Sequence, residues 1–424
     1  MTRSKEPSPS GTARLHDVGH IDHAVDRDLI GYALDRLDES RSVRRDPVPK
    51  TPELDLPIAL PESGIDPRAA LERLGSVALD SSAQLHHPGY FAHMDPPTPA
   101  VAWAAALWQV ATNQNLLHPD VAPAARSLSD RVVDWLAPFF GMNGGHFVPG
   151  STVANLTALW AATDLRGVRR VVASERSHLS LRKAAHLLGL EYVAVPTDAS
   201  HHLAVDALPS LDDAVLVLTA GTVATGAIDP LRRPSDAAWV HVDAAWAAPL
   251  RLSETYAGLL DGIEQADSVS CSAHKWLYQP KGAALVFFKD SASAHEAMSY
   301  GGGYLAVPNV GVVGSAPVAA LPLAATLLAF GRAGIAERLE SDMGKAQQLV
   351  KLIDADSRLE RFGPMETGVV VWRPREQDPR VVRDRLEDAW VSLTVIDEQV
   401  WFRSVAANPA ADADHVVAQV LKAL

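Results

Sequence analysis

The sequence predicts an α/β protein: a large domain on a mostly parallel sheet, followed by a small α+β C-terminal domain. Two observations carry this. From about residue 145, short apolar runs rich in β-formers (RRVVAS, EYVAVP, AVLVLTA, AWVHVDAAW, DSVSCSA, AALVFF) alternate with segments of helical pattern. That alternation is what strands joined by helical crossovers produce. The tail then departs from it, with two further strand candidates, GVVVWRP and VWFRSVA, ahead of the helix DADHVVAQVLKAL.

Taken in order, the first 65 or so residues are rich in Pro, Ser and charge, broken by one helix-like stretch, DRDLIGYALDRLDE. They read as a loosely packed arm, one that either stays mobile or docks on a partner subunit. Asp66 and Pro67 supply an N-cap and first helical position for PRAALERLGSVALD, and Thr98 and Pro99 do the same for PAVAWAAALWQVA. After the alternating region, the Gly-rich SYGGGYLAVPNVGVVGSAP reads as a loop and AALPLAATLLAFGRAGIAERLESDMGKAQQLVKLI as one long helix. The resulting division is an arm with its helices (1–85), a large domain (86–314) and a small domain (315–424).

Composition narrows the function classes. The chain has 424 residues, 47% hydrophobic and 21% charged, enough for one large domain and a smaller one. Its formal charge of -13 repels phosphate backbones, and no basic cluster interleaved with aromatics offsets it, so nucleic acid is not an expected partner. Cys271 is the only cysteine, which excludes an intrachain disulfide and a Cys-based metal cage and fits a reducing compartment. The opening MTRSKEPSPSGTARLHDVGHID lacks the apolar core of a signal peptide, and no uninterrupted apolar run is long enough to span a bilayer. A cytoplasmic protein with no membrane partner is the expectation. The pairs His86-His87 and His201-His202 lack metal-ligand spacing and supporting acids, so no metal is expected.

Three places could carry chemistry. In HFVPGSTVANLTALWAA, Gly150, Ser151 and Thr152 precede an apolar helix, whose free N–H groups and partial positive charge suit a phosphate. On its own the same triplet is more often plain capping. Asp243 closes the run WVHVD, and Lys275 follows SVSCSAH with 31 residues between the two. A lysine at a strand end can form an imine with an aldehyde cofactor, and a buried carboxylate facing a ring nitrogen keeps that nitrogen protonated. Singly, Asp243 reads more readily as a turn residue and Lys275 as a solvated charge; together, downstream of an anion cradle, they point to covalent catalysis.

The segments GSTVANLTAL, SERSHLSLRKAAHLLGL, LTAGTVATGAIDPL, WVHVDAAW and ADSVSCSAHKWLYQPKGAALVF resemble the group II pyridoxal-phosphate-dependent amino acid decarboxylases. That family includes aromatic amino acid, glutamate and diaminobutyrate decarboxylases. The likeness runs from HHPGYFAHMDPPTP at 86 to FRSVAANP at 402. It implies the fold-type-I PLP-dependent transferase fold, pyridoxal 5'-phosphate as cofactor, an amino acid substrate and a homodimer with a shared active site. On matching positions, Lys275 would be the Schiff-base lysine, Asp243 the partner of the pyridinium nitrogen and His178 the imidazole stacked on the cofactor ring. Ser151, Thr152, Ser272 and His274 would surround the phosphate, Ser272 standing where relatives often carry Asn or Asp. Ala245 would pack against the ring, and Thr222 would lie close to the cofactor. Tyr90, Phe91, His93 and Met94 fall where relatives line the substrate pocket. Asn115, Leu117 and His118 match a segment reaching in from the neighbouring subunit, and Arg403 lies in a motif that could bind a carboxylate.

One stretch departs from the family. Relatives carry, after the lysine region, a mobile loop whose tyrosine returns a proton once carbon dioxide has left. Here the interval AMSYGGGYLAVPNVGVVGSAP is shortened, holds only Tyr300 and Tyr304, and has Ala316 where an arginine is usual. Decarboxylation to an amine is therefore the first reading. Decarboxylation with oxidative deamination to an aldehyde, or β-elimination from an S-substituted cysteine in specialised metabolism, is the alternative, and a non-catalytic cofactor-binding homologue is the third.

Overall fold

The computed structural model describes residues 25–43, 46–51, 53–232 and 236–424; the opening segment read above for a signal peptide lies outside them. The chain divides between Ala83 and Gln84 into two compact units. The first boundary read from the sequence lay two residues later, and the second unit holds both of the larger domains of that reading.

In the first unit, α1 (Arg27–Ser42) starts at Asp26, whose carboxylate accepts the Leu29 N–H at 2.8 Å. Asp66 caps α2 (Pro67–Ala78) by accepting from Arg68 and Ala69, with Pro67 in the first turn as the sequence predicts. Arg68 stacks its guanidinium 4.3 Å from the Tyr32 ring centre.

The second unit begins with α3 (Ala100–Thr112) and α4 (Ala125–Leu136). Here Pro99, not Thr98, is the N-cap, and no side chain caps it, so the expected Thr98 cap is corrected by one residue. The large sheet contains β1 (Gly144–Val148), β2 (Arg170–Ser174), β3 (Glu191–Val195), β4 (Ala214–Thr219), β5 (Trp239–Asp243), β6 (Ser268–Cys271) and β7 (Ala284–Phe288). Its order is β1-β7-β6-β5-β4-β2-β3, and only β7 runs against its neighbours.

Strand β4 shows why an unbroken apolar run belongs in the middle. Val215 and Val217 face a core shared with α5 (Ser151–Arg166) and α6 (Leu179–Leu188), while Leu216 and Leu218 face a second core shared with α4 and α8 (Ala320–Ala355). Both faces are covered, and each such side chain contributes about 1.5–3 kcal/mol on burial.

Beyond β7 lie α7 (Ser291–Ala297) and a two-residue ladder of β8 (Ser299–Tyr300) with β9 (Asn309–Val310), inside the stretch read as a loop. Gly331, at φ 59 and ψ -177, breaks α8 into two helices where the sequence reads as one. By length and composition α8 could cross a membrane, yet Leu323, Ile335, Leu339, Leu349 and Ile353 are buried within the protein. The C-terminal part is an antiparallel sheet of β10 (Leu359–Phe362), β11 (Val369–Pro374), β12 (Ser392–Ile396) and β13 (Gln399–Val405), ordered β10-β11-β13-β12. The helices α9 (Pro379–Asp384) and α10 (Ala413–Ala423) complete it. Trp372 and Phe402 meet at 5.1 Å in its core, against Leu349 and Ile353 of α8 and Val416 and Val420 of α10.

The turn after β6 is held from α8. Asp342, fully buried, accepts from the Tyr278 hydroxyl at 2.7 Å, from Trp276 Nε1 at 3.2 Å and from Lys345 Nζ at 3.2 Å. Trp276 stacks on Trp246 at 4.0 Å, and Tyr278 sits at φ 59, a conformation that needs support in a bulky residue. Replacing Asp342 with alanine strands the buried Tyr278 hydroxyl, while Trp276 keeps the Ala406 carbonyl and Lys345 keeps Ser341, and should cost about 2 kcal/mol, read as a lower denaturant midpoint. An unchanged midpoint would show that the turn holds itself.

Candidate active site

The carboxyl ends of the parallel strands β4, β5 and β6 open onto the N-terminus of α5, the place where ligands gather in open α/β sheets. A pocket there is lined by Ser151, His178, Thr219, Asp243, Ala245 and Lys275, among others. Asp243 is the last residue of β5, and the Lys275 N–H closes a turn onto the Ser272 carbonyl at 3.1 Å, four residues past the end of β6.

Three donors converge on the Asp243 carboxylate: Asn155 Nδ2 at 2.8 Å, the Ala245 N–H at 3.2 Å and the Ser270 hydroxyl at 3.3 Å. Burial lowers the Lys275 ammonium below the usual lysine value, while Asp243 pulls it back up. A lysine so placed holds more free amine, the form that attacks a carbonyl. Burial likewise lowers the His178 imidazole, again against the pull of Asp243. His178 caps α6, and its Nδ1 receives the Ser180 N–H at 3.2 Å.

Where α5 begins, the residues fit a phosphate-bearing ring cofactor. Gly150 is the N-cap at φ 118, with no side chain capping the first turn, and a Cβ there would point at the His274 ring 3.8 Å away. The buried Ser272 Oγ, His274 Nδ1 and Thr219 Oγ1 have no hydrogen-bond partner among the described residues. Unsatisfied buried polar atoms beside a bare helix N-terminus are what an anion would satisfy. Burial lowers the His274 imidazole to about 4, so it would meet that anion as a neutral donor. Among the described residues no group of three or more His, Cys, Asp or Glu could hold a metal ion.

Some residues named from the sequence lie elsewhere. Thr222 lies between Gly221 and Val223, which line the pocket, but its own hydroxyl is committed to Thr225 at 2.9 Å and to the Ala227 N–H at 3.1 Å, and Thr219 lines the pocket as well. Phe91 is corrected: it has no exposed surface and packs in the C-terminal core, its N–H bound to the Trp390 carbonyl. Met94, 6% exposed, packs in the main core. Thr152 is exposed on the first turn of α5, and His93 is exposed beside the buried Tyr90. Asn115 bonds Ser315 at 3.2 Å and the Leu116 N–H meets the Ala316 carbonyl, so segment 115–118, with the half-buried Leu117 and His118, lies on the 315–316 stretch of its own chain. Arg403 is 7% exposed on β13, and its Nε donates at 2.5 Å to the carbonyl of Val223, a residue lining the pocket. Burial brings its guanidinium down to about 10, against the pull of Asp95.

A lysine and a carboxylate at neighbouring strand ends, with an anion cradle between, define a fold-type-I α/β protein built around an aldehyde cofactor. Residues 77–375 match the family model described as the pyridoxal-dependent decarboxylase conserved domain, and the chain belongs to that family of PLP-dependent enzymes. It is 30% identical to the L-2,4-diaminobutyrate decarboxylase of Rhizobium meliloti (strain 1021), over 86% of this chain and 83% of that one. It is 24% identical to the aromatic-L-amino-acid decarboxylase of Bacillus atrophaeus, over 93% and 94%. A crystal structure of Oryza sativa TDC with PLP and tryptamine has the same fold, with a TM-score of 0.83, 22% identity and coverage of 93% and 96%. Pyridoxal phosphate is the cofactor of the family and of this chain.

Sequence reasoning missed Asn155, Ser180, His241 and Ser270 around Asp243. His241 lies inside the HVDAA motif and Asn155 inside GSTVANLTAL, so both were within segments already singled out.

Proposed function

We propose that the protein removes the α-carboxylate of a small amino acid, with Lys275 as the residue that bonds the cofactor. The observation that carries this is the shared pocket of Lys275, Asp243 and His178. When bound, pyridoxal phosphate supplies an aldehyde that condenses with amines and a ring that accepts the electron pair left by departing carbon dioxide. With the cofactor bound, Asp243 would keep the ring nitrogen protonated, His178 and Ala245 would pack against the ring, and Ser151, Ser272 and His274 would hold the phosphate. Arg403, charged and close to Val223, receives the substrate carboxylate. Its buried guanidinium offers Nη2 beyond the bonds that Nε and Nη1 make to Val223 and Ser392.

The working form is a cytoplasmic homodimer. Trp108, Val110 and Leu328, on the neighbouring helices α3 and α8, are 64%, 75% and 73% exposed, an apolar surface that a second copy would cover.

One observation favours a second outcome. Tyr300 and Tyr304 are 60% and 75% exposed, and neither lines the pocket. Without a tyrosine to return the proton, oxygen competes for the electron pair and is reduced to hydrogen peroxide, giving aldehyde and ammonia; if the α-proton leaves in place of carbon dioxide, an S-substituted cysteine instead expels its thiol and yields pyruvate and ammonia. The test is an oxygen-electrode and mass-spectrometric assay of the cofactor-loaded protein on an amino acid panel. Equal amounts of amine and carbon dioxide without oxygen uptake are expected. Oxygen consumption with aldehyde, or release of a thiol, would install the second reading.

A further inference from the structure

Trp239, His241 and Asp243 alternate along β5 and therefore share one face of the sheet, the face that α5 covers. Asn155, fully buried on α5, meets this row. Its Nδ2 lies 2.8 Å from Asp243 Oδ2 and 2.9 Å from Ser180 Oγ, and its Oδ1 lies 3.1 Å from His241 Nε2. His241 Nδ1 is 2.9 Å from Ser268 Oγ, its register partner on β6, and Trp239 Nε1 reaches the same hydroxyl at 2.9 Å. On the other side, Ser180 Oγ is 2.8 Å from His178 Nδ1.

Asp243, as a carboxylate, can only accept, so the Asn155 amide turns its NH2 toward Asp243 and Ser180 and its Oδ1 toward His241 Nε2. His241 therefore carries a proton on Nε2, while Ser268 Oγ accepts from Trp239 Nε1 and lies against His241 Nδ1. Ser180, having accepted from Asn155, donates to His178 Nδ1, as its own backbone N–H does. His178 Nδ1 thus receives two donors and holds no proton, which leaves the ring's single N–H on Nε2.

We propose that Asn155 is a positioning residue that joins Asp243 and His178 into one hydrogen-bonded unit and keeps the His178 proton on Nε2. This rests on the reading of Lys275, Asp243 and His178 as the groups facing the cofactor. The histidine bearing on the reacting face then always offers a donor there, and its partner across the ring is held by the same amide. Groups that orient a working side chain in this way typically carry about 10–100-fold in rate.

The experiment is long-range ¹H–¹⁵N NMR of ¹⁵N-histidine-labelled protein, cofactor-free and cofactor-loaded, combined with steady-state kinetics. In the wild type, His178 and His241 are both expected neutral with the proton on Nε2, whether or not cofactor is bound. Asn155→Asp keeps the shape but reverses the donor facing Ser180, so the Ser180 hydroxyl turns to the new carboxylate, His178 Nδ1 keeps only the Ser180 backbone N–H, and the His178 ring signals should shift. Its kcat should fall about 10–100-fold while KM changes by less than about threefold. Asn155→Ser, which adds no charge, should lower kcat with the histidines still neutral. A wild-type His178 protonated on Nδ1 would overturn the proposal, as would an Asn155→Asp protein with unmoved signals and kcat within about twofold. Failure of the underlying reading looks different: Lys275→Ala would keep the absorbance of the lysine-bound cofactor while the histidine signals remained as expected.

Discussion

Changing Lys275 to alanine is expected to abolish the near-visible absorbance of the lysine-bound cofactor and to lower turnover by roughly 10⁴-fold. The size follows from two losses at once: the amine that bonds the cofactor, and the general base or acid nearest the substrate α-carbon. Lys275→Arg separates charge from chemistry, because arginine keeps the positive charge beside Asp243 but cannot condense with an aldehyde. Both variants should therefore lack the band, and retention of it in either would sink the assignment. The lowered lysine value adds a pH signature. Only the free amine attacks, so the rate at which cofactor-free protein takes up pyridoxal phosphate should rise with pH and level off below 10.5, the value for an ordinary lysine. Levelling at or above it would mean that burial does not act on Lys275 as described.

How much of this was legible in the sequence depended on the range of the forces involved. Strands β2, β4 and β7 announce themselves because they are buried almost throughout and their runs are almost wholly apolar. Strand β1 does not, since its GGHFV begins with glycines that close packing demands. A Cβ on Gly145 would sit 2.1 Å from the Val286 carbonyl oxygen of β7, a contact that no local pattern reveals. LERF in β10 and SLTVI in β12 carry partly exposed polar residues and lack a strong run. Lys275 and Asp243 could be read because each follows its own strand within a few residues. Phe91 was misplaced because tertiary packing, absent from any local motif, decides whether an apolar residue faces a ligand or the core. The Asn155 junction was beyond reach for the same reason: it joins positions 86 residues apart and depends on the seating of α5 on β5.

Asp243→Ala is the second large effect, with turnover expected to fall roughly 10²–10⁴-fold while pyridoxal phosphate still binds through Lys275 and the phosphate cradle. The carboxylate counts here because it is a fixed, desolvated charge. At 4% exposure it has little water to reorganise, so a proton on the cofactor ring nitrogen facing it is stabilised far more than in solution. Asp243→Asn tests charge against shape. The amide is nearly isosteric, but three donors already point at this side chain, from Asn155, Ala245 and Ser270. An NH2 group turned toward Asn155 would face another NH2, so the asparagine must either clash or turn its oxygen that way and leave Nδ2 facing Ala245 and Ser270. The variant should be as slow as the alanine one, with a perturbed His178 signal because the two are linked through Asn155 and Ser180. If instead Asp243→Asn retained near wild-type turnover, geometry rather than charge would be the contribution of this residue, and the ring nitrogen would have to obtain its proton elsewhere.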